Sequence, residues 1–233
     1  MLEKISKEKM YLSNQGWLQS RFHFSFAQYR DLNNLNFGVL RVLNDDIVHP
    51  HSGFDMHPHS DMEIISYVVD GEITHKDSMG NEETLKRGEV QYMSAGTGVM
   101  HSEYNHGNTD LRLLQIWILP PLKGVKPLYG SHKYEWNERV NKLLPIVSSL
   151  KGKAKVNIHQ DVNIYVSQLD AQKELTFEIE ANRQVYFVQI EGRCHVNAIE
   201  LNEADALKVV NETQLHIKAL TKAHFIMIEM SAV

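Results

Sequence analysis

The chain has 233 residues, 42% of them hydrophobic and 23% charged, with a formal net charge of −5. This is enough apolar material for a sizeable core and excludes a disordered chain, and the acidic balance argues against a surface built to neutralise nucleic-acid phosphates. No apolar run reaches the roughly 18–20 residues of a membrane span, and the start Met1-Leu2-Glu3-Lys4 lacks the apolar core of a signal peptide, so a cytoplasmic protein is expected. The single cysteine, Cys194, excludes an internal disulfide and any Cys-based zinc cluster, and reads as a small core hydrophobe.

In chain order, Phe22, Phe24 and Phe26 alternate as one apolar strand face, with His23 on the other parity in a structural role. Phe37 to Asn44 reads as a buried strand ended by the turn-forming Asn44-Asp45-Asp46, and His49-Pro50-His51-Ser52-Gly53 as an exposed loop whose two histidines are not expected as ligands. Strands then recur at short intervals: Asp70-Gly71, Met79-Gly80-Asn81, Arg87-Gly88 and Ala95-Gly96-Thr97-Gly98 separate apolar runs, and Pro120-Pro121 stops the run from Leu111 to Leu119. Many short strands between glycine-containing turns predict an antiparallel sandwich or barrel.

Within this run, His57-Pro58-His59 and His101-Ser102-Glu103 stand out. Residues two apart in a strand share a face, so two such pairs on facing strands bring three imidazoles and a carboxylate to one point, the outline of a metal site. Glu63 shares their parity, but a regular strand sets it about 13 Å from His59. Met62, Ile64, Phe37, Met93 and Met100 are candidates for an apolar pocket beside the site, and for each of them core packing is the competing role.

The segment 126–155 is rich in proline and glycine, with a short helix expected around Glu135 to Leu144, and reads as a connector. From Val156 onward a second all-β set begins, and Phe187 to Arg193 lines up with Tyr67 to Glu72. A duplicated small barrel is the economical reading: 1–125, a metal-binding barrel; 126–155, a connector; 156–233, a second barrel. Where the first repeat has His57-x-His59, the second is expected to have Asn182-Arg183-Gln184. His195, His216 and His224 are scattered without a same-side carboxylate, so only the first barrel is expected to bind metal.

The sequence resembles the pirin-like proteins of the cupin superfamily, most closely the short bacterial members described as quercetinases. The match is carried by Gly16-Trp17-Leu18 with Phe24-Ser25-Phe26-Ala27, by Leu40-Arg41-Val42-Leu43-Asn44-Asp45-Asp46, by Gly53-Phe54 with His57-Pro58-His59 and Met62-Glu63, and by Asp77-Ser78-Met79-Gly80-Asn81 through Met93-Ser94-Ala95-Gly96-Thr97-Gly98 to His101-Ser102-Glu103-Tyr104-Asn105. The resemblance implies an all-β bicupin of two tandem antiparallel jelly-roll barrels. It also implies one metal in the first, held by the residues matching His57, His59, His101 and Glu103. The wider superfamily draws its carboxylate from the place of Glu63, whereas the pirin-like pattern draws it from that of Glu103.

Such a ligand set suits one divalent transition metal per chain, with iron expected first and nickel, copper, manganese, zinc or cobalt as alternatives. The absence of thiolates argues against a purely structural zinc. For activity the resemblance implies a quercetin 2,3-dioxygenase, in which O2 opens the central ring of a flavonol and Glu103 takes the proton of its 3-hydroxyl. The alternative it implies is a metal-dependent redox sensor without turnover that binds a transcription regulator or enzyme, with acidic residues such as Asp55, Asp61, Glu63 and Asp77 beside the metal.

Overall fold

The computed structural model describes residues 1–232, which form 22 strands and two short 3-10 turns. In order the strands are β1 (Leu2–Ile5), β2 (Tyr11–Asn14), β3 (Leu18–Phe22), β4 (Leu40–Val48), β5 (Ser52–His59), β6 (Glu63–Asp70), β7 (Glu72–Asp77), β8 (Glu82–Lys86), β9 (Val90–Ser94), β10 (Val99–Asn105), β11 (Leu111–Ile118) and β12 (Leu128–His132). They continue as β13 (Leu144–Ser149), β14 (Val156–Ile158), β15 (Val162–Leu169), β16 (Glu174–Glu178), β17 (Arg183–Glu191), β18 (Cys194–Val196), β19 (Ile199–Leu201), β20 (Ala206–Val209), β21 (Gln214–Ala219) and β22 (Ala223–Ser231).

Two compact units result, each a jelly roll of a seven-stranded and a four-stranded antiparallel sheet rather than a closed barrel. The first comprises residues 11–134 with 158–160, and its sheets run β12-β9-β6-β11-β4-β3-β2 and β5-β10-β7-β8. The second comprises residues 1–10, 135–157 and 161–233, and its sheets run β1-β20-β17-β22-β15-β13-β14 and β16-β21-β18-β19. The central strands match, β9-β6-β11-β4 with β20-β17-β22-β15 and β5-β10-β7-β8 with β16-β21-β18-β19, as a duplication requires, while the flanks of the large sheets differ: β4-β3-β2 is answered by β15-β13-β14, and β12 by the N-terminal β1.

Several sequence boundaries move. Residues 1–10 belong to the second unit, because Leu2 to Ile5 pair with Val209 to Ala206. The segment 126–155 is not a bare connector: β12 pairs with β9 in the first unit and β13 with β15 in the second. The helix expected at Glu135 to Leu144 shrinks to one 3-10 turn, Trp136–Arg139, closed by a capping box between Glu135 and Glu138, and Asn141 at φ 56 leaves the helical region. Asn182-Arg183-Gln184 is not the counterpart of the histidine strand. Arg183–Glu191 takes the place of β6, and the strand matching β5 is β16.

Between the sheets of the first unit, one end is apolar, with Leu18, Val48, Val68, Leu111 and Leu113 of the large sheet packed on Ile73 and Leu85 of the small one. Next to that layer the inward positions turn polar: Ser66, His75, Gln91, Glu103 and Gln115 are all buried. In the second unit Val185, Phe187, Leu207, Val209, Phe225 and Met227 pack on Leu215, Ile217 and Cys194, and the buried Gln189 beside them accepts the Cys194 thiol at 2.9 Å. Cys194 is the core hydrophobe expected, its thiol pushed up to about 12 by burial.

Candidate metal centre

Strands β5 and β10 lie side by side, with His101 directly opposite His57. Their register shifts one residue further along, where Glu103 faces Phe54, so β5 carries a bulge at Asp55 and Met56, both exposed. The bulge switches parity along β5: Phe54 turns inward on one side of it, and His57 and His59 on the other. Gly53 is needed at the foot of this pairing, because a Cβ there would collide with the Glu103 carbonyl oxygen.

The three imidazoles of His57, His59 and His101 converge, with ring centroids 4.4, 4.8 and 4.9 Å apart and ligand atoms within 4.8 Å of one another. The Nδ1–H of His57 donates to the Asp55 carbonyl at 2.7 Å, which leaves Nε2 with its lone pair free toward the cluster. His59 is held edge-on by Trp117 at 4.9 Å. His101 is 1% exposed, yet neither ring nitrogen has a hydrogen-bond partner. A buried imidazole in that state has lost its water and gained nothing, a debt that a metal bond would settle.

Burial favours the neutral form of His59 and His101, the form in which an imidazole binds a metal. Desolvation, reinforced by the neighbouring imidazoles, lowers His59 to about 4, and the same causes lower His101 to about 3. The donor set of neutral nitrogens with a carboxylate nearby therefore fits a divalent transition metal.

Glu103, 3% exposed, sits one step deeper in the same cavity. Its Oε1 accepts from Ser66 at 2.9 Å and from Gln91 at 2.7 Å, and its Oε2 from Gln115 at 2.7 Å. Glu103 also groups with His101 and with His75, a buried histidine of β7 for which the sequence suggested no role. Its own spacing signal, His75-x-Asp77, was legible: Nε2–H of His75 donates to Asp77 at 3.2 Å, leaving Nδ1 unpartnered. Burial would raise Asp77, but hydrogen bonds from Asn81, His75 and Met79 outweigh it and lower its pKa.

Glu63 is elsewhere. Its buried carboxylate takes the Tyr92 hydroxyl at 2.8 Å and the backbone N–H groups of His159 and Gln160 at 2.7 and 3.0 Å, a structural clamp. His49 pairs with Asp110 at 2.8 Å, outside the cluster. Beside the imidazoles lies a cavity of about 220 Å³. Of the pocket residues expected, only Ile64 lines it. Met93 and Met62 are spent on packing with Ile64 and Val99, Phe37 is buried elsewhere, and Met100, 39% exposed, points outward because its neighbour His101 points in.

The walls come instead from Phe22, Phe26, Phe54 and Trp117, with Ser20, Asn44, Asp46 and Gln115 as polar members that the sequence reading had missed. Phe24 does not share this wall, because β3 ends at Phe22 and the alternation stops there. In the second unit His195, His216 and His224 each lie beside a carboxylate after all, at 3.7, 3.4 and 2.9 Å, as separate pairs. Among the described residues, groups of three or more metal-type side chains occur in the first unit alone.

A jelly-roll pair with a histidine cluster between the sheets of one member is a bicupin with a metal-type centre. The chain belongs to the pirin family: residues 5–118 match the family model described as Pirin, and residues 145–230 the one described as Quercetinase C-terminal cupin domain. It is 37% identical over 222 residues to a quercetin 2,3-dioxygenase of Escherichia coli K12, covering 95% of each chain, and 39% identical over 230 residues to a pirin-like protein of Caulobacter vibrioides, covering 98% of this chain and 99% of that one. The crystal structure of the bacterial pirin YhhW from Escherichia coli in complex with nickel(II) superposes with a TM-score of 0.94 at 35% identity, over the whole of both chains. No helix among the described residues is long and apolar enough to cross a membrane.

Proposed function

We propose that this chain is a metal-dependent quercetin 2,3-dioxygenase, in which His57, His59, His101 and Glu103 hold one divalent transition metal and O2 opens the central ring of a flavonol. The observation that carries this reading is the doubly orphaned His101 beside two further imidazoles, at the wall of a cavity lined with aromatic rings. When bound, the metal supplies Lewis acidity toward the substrate oxygens and an electron path to O2.

The chain's own residues do the rest. Phe22, Phe26, Phe54 and Trp117 offer flat apolar faces to a planar ligand and exclude water from it. At about 220 Å³ the cavity is below the roughly 300–1,000 Å³ that encloses a drug-sized ligand, so a three-ring flavonol seats only part of itself. Glu103 can take the substrate's hydroxyl proton if one of its donors gives way. Ser66 is built for that: its single hydroxyl hydrogen has a second acceptor, Gln115 Oε1, also at 2.9 Å, so rotation frees a lone pair on Glu103 Oε1.

The test is anaerobic loading with iron(II), nickel, manganese or copper, followed by oxygen uptake with quercetin for wild type and Glu103→Ala. Metal-dependent uptake that the variant loses supports the dioxygenase. One tightly bound ion per chain with no uptake under any metal favours the redox sensor that binds a regulator.

A further inference from the structure

The imidazoles reach the cavity from the small sheet, and the large sheet answers with a polar group of its own. Asn44 and Asp46 stand two apart on one face of β4, Ser20 lies opposite Asp46 on β3, and Gln115 lies opposite Asn44 on β11 with Trp117 two residues on. All line the cavity. Three polar atoms there, Asn44 Oδ1, Asp46 Oδ1 and Trp117 Nε1, are buried without a hydrogen-bond partner. Each such group has lost its hydration without replacement, and three on one wall are not incidental, since native cores leave few.

We propose that Asp46, Asn44 and Trp117 form a second recognition station in the cavity, which binds a phenolic hydroxyl of the aromatic ligand other than the one presented to the metal. A phenol both donates and accepts, and the station offers both partners: Asn44 Oδ1 only accepts, Trp117 Nε1–H only donates. Asp46 completes it. Its Oδ1 is buried and unpartnered at the cavity wall, and a carboxyl there can accept a hydrogen bond when ionised or donate one when protonated. A site with buried polar groups of this kind penalises the analogue that lacks the hydroxyl, because those groups are then left unpaired.

The inference rests on the flavonol reading, and binding separates the two. Affinities are measured without oxygen, on metal-free and nickel-loaded protein, for quercetin and for analogues each lacking one hydroxyl other than the 3-hydroxyl. The proteins are wild type, Asp46→Asn, Asn44→Leu and Trp117→Phe, with thermal unfolding to confirm that each is folded. One deletion is expected to weaken binding to wild type about 10–30-fold, and the same deletion less than about 3-fold in the folded variants. If quercetin binds but every deletion costs the same in wild type and variants, or none costs anything, the station is wrong and the flavonol reading stands. If wild type binds no flavonol in either form, both fall.

Discussion

The two units share the order of their central strands and have opposite interiors. Where β5 and β10 of the first turn His57, His59, His101 and Glu103 inward, β16 and β21 of the second turn Leu175, Phe177, Leu215 and Ile217. Where β6, β9 and β11 offer Ser66, Gln91 and Gln115, β17, β20 and β22 offer Phe187, Leu207 and Phe225. One sandwich geometry therefore tolerates either a hydrogen-bonded polar layer or a continuous apolar one, and the choice separates the unit equipped for chemistry from the unit equipped for packing.

That division is broken most sharply at the imidazoles. His57→Ala or His101→Ala should remove nearly all bound metal, a larger loss than the roughly 10–100-fold expected when a group behind a ligand is changed, while His49→Ala should leave metal content at wild-type level. Elemental analysis after gel filtration reads all three, and equal metal content would overturn the assignment. Conversely, Phe187→Ala in the second unit removes a fully buried ring stacked on Phe225 at 4.8 Å. It should cost about 3–5 kcal/mol in urea unfolding, with metal per folded chain unchanged. A loss of metal in that variant would mean the units are not divided as described.

The histidine pairs were legible in the sequence because they are local: His57-x-His59 and His101-x-Glu103 each declare a face on their own. The all-β sandwich was legible too, from turn residues spaced along alternating runs. The bulge at Asp55 and Met56 was not, since nothing in Gly53-Phe54-Asp55-Met56-His57 marks which residue is the extra one. Nor was the polar wall: Ser20, Asn44, Asp46 and Gln115 come from three strands whose adjacency only the sheet order reveals, and Asn44-Asp45-Asp46 looks like a turn when it is the middle of β4. There Asp45 faces the other way and accepts from Nε–H and Nη2–H of Arg112 on its two oxygens, at 2.9 and 2.7 Å, which lets three turn-type residues continue a strand. The short β1 carries too little pattern to name its partner strand.

The polar interior also ties the stability of the first unit to pH. Burial lowers His23 to about 4, outweighing the attraction of Asp45. Its contribution to stability is present above the unfolded value near 6.5 and is lost as pH falls through 4, about 3 kcal/mol in all. His59 and His101 act in the same direction when no metal is bound. Urea unfolding of the metal-free protein should therefore show stability declining from pH 6.5 toward pH 4, and His23→Leu should flatten part of that decline. An unchanged slope in the variant would show that His23 takes up no proton on unfolding.

Asp46 works in the opposite direction. Its folded pKa of about 7 stands above the unfolded 3.8, so its contribution is present below 3.8 and lost as pH rises through 7. At pH 8 the buried carboxylate is ionised at a cost of up to about 4 kcal/mol. Asp46→Asn keeps the shape and removes the charge, so the metal-free variant should be more stable than wild type by about 1–3 kcal/mol at pH 8, an advantage that shrinks by about 2 kcal/mol at pH 5. An advantage independent of pH would mean that the carboxyl does not titrate in this range. If instead the variant gains stability at pH 8 while losing its discrimination between hydroxylated and deoxy flavonols, then Asp46 is held in the first unit at the expense of the fold, for the ligand's sake. That is the opposite of what the second unit does at Phe187, Leu207, Phe225 and Met227, where the inward positions serve packing.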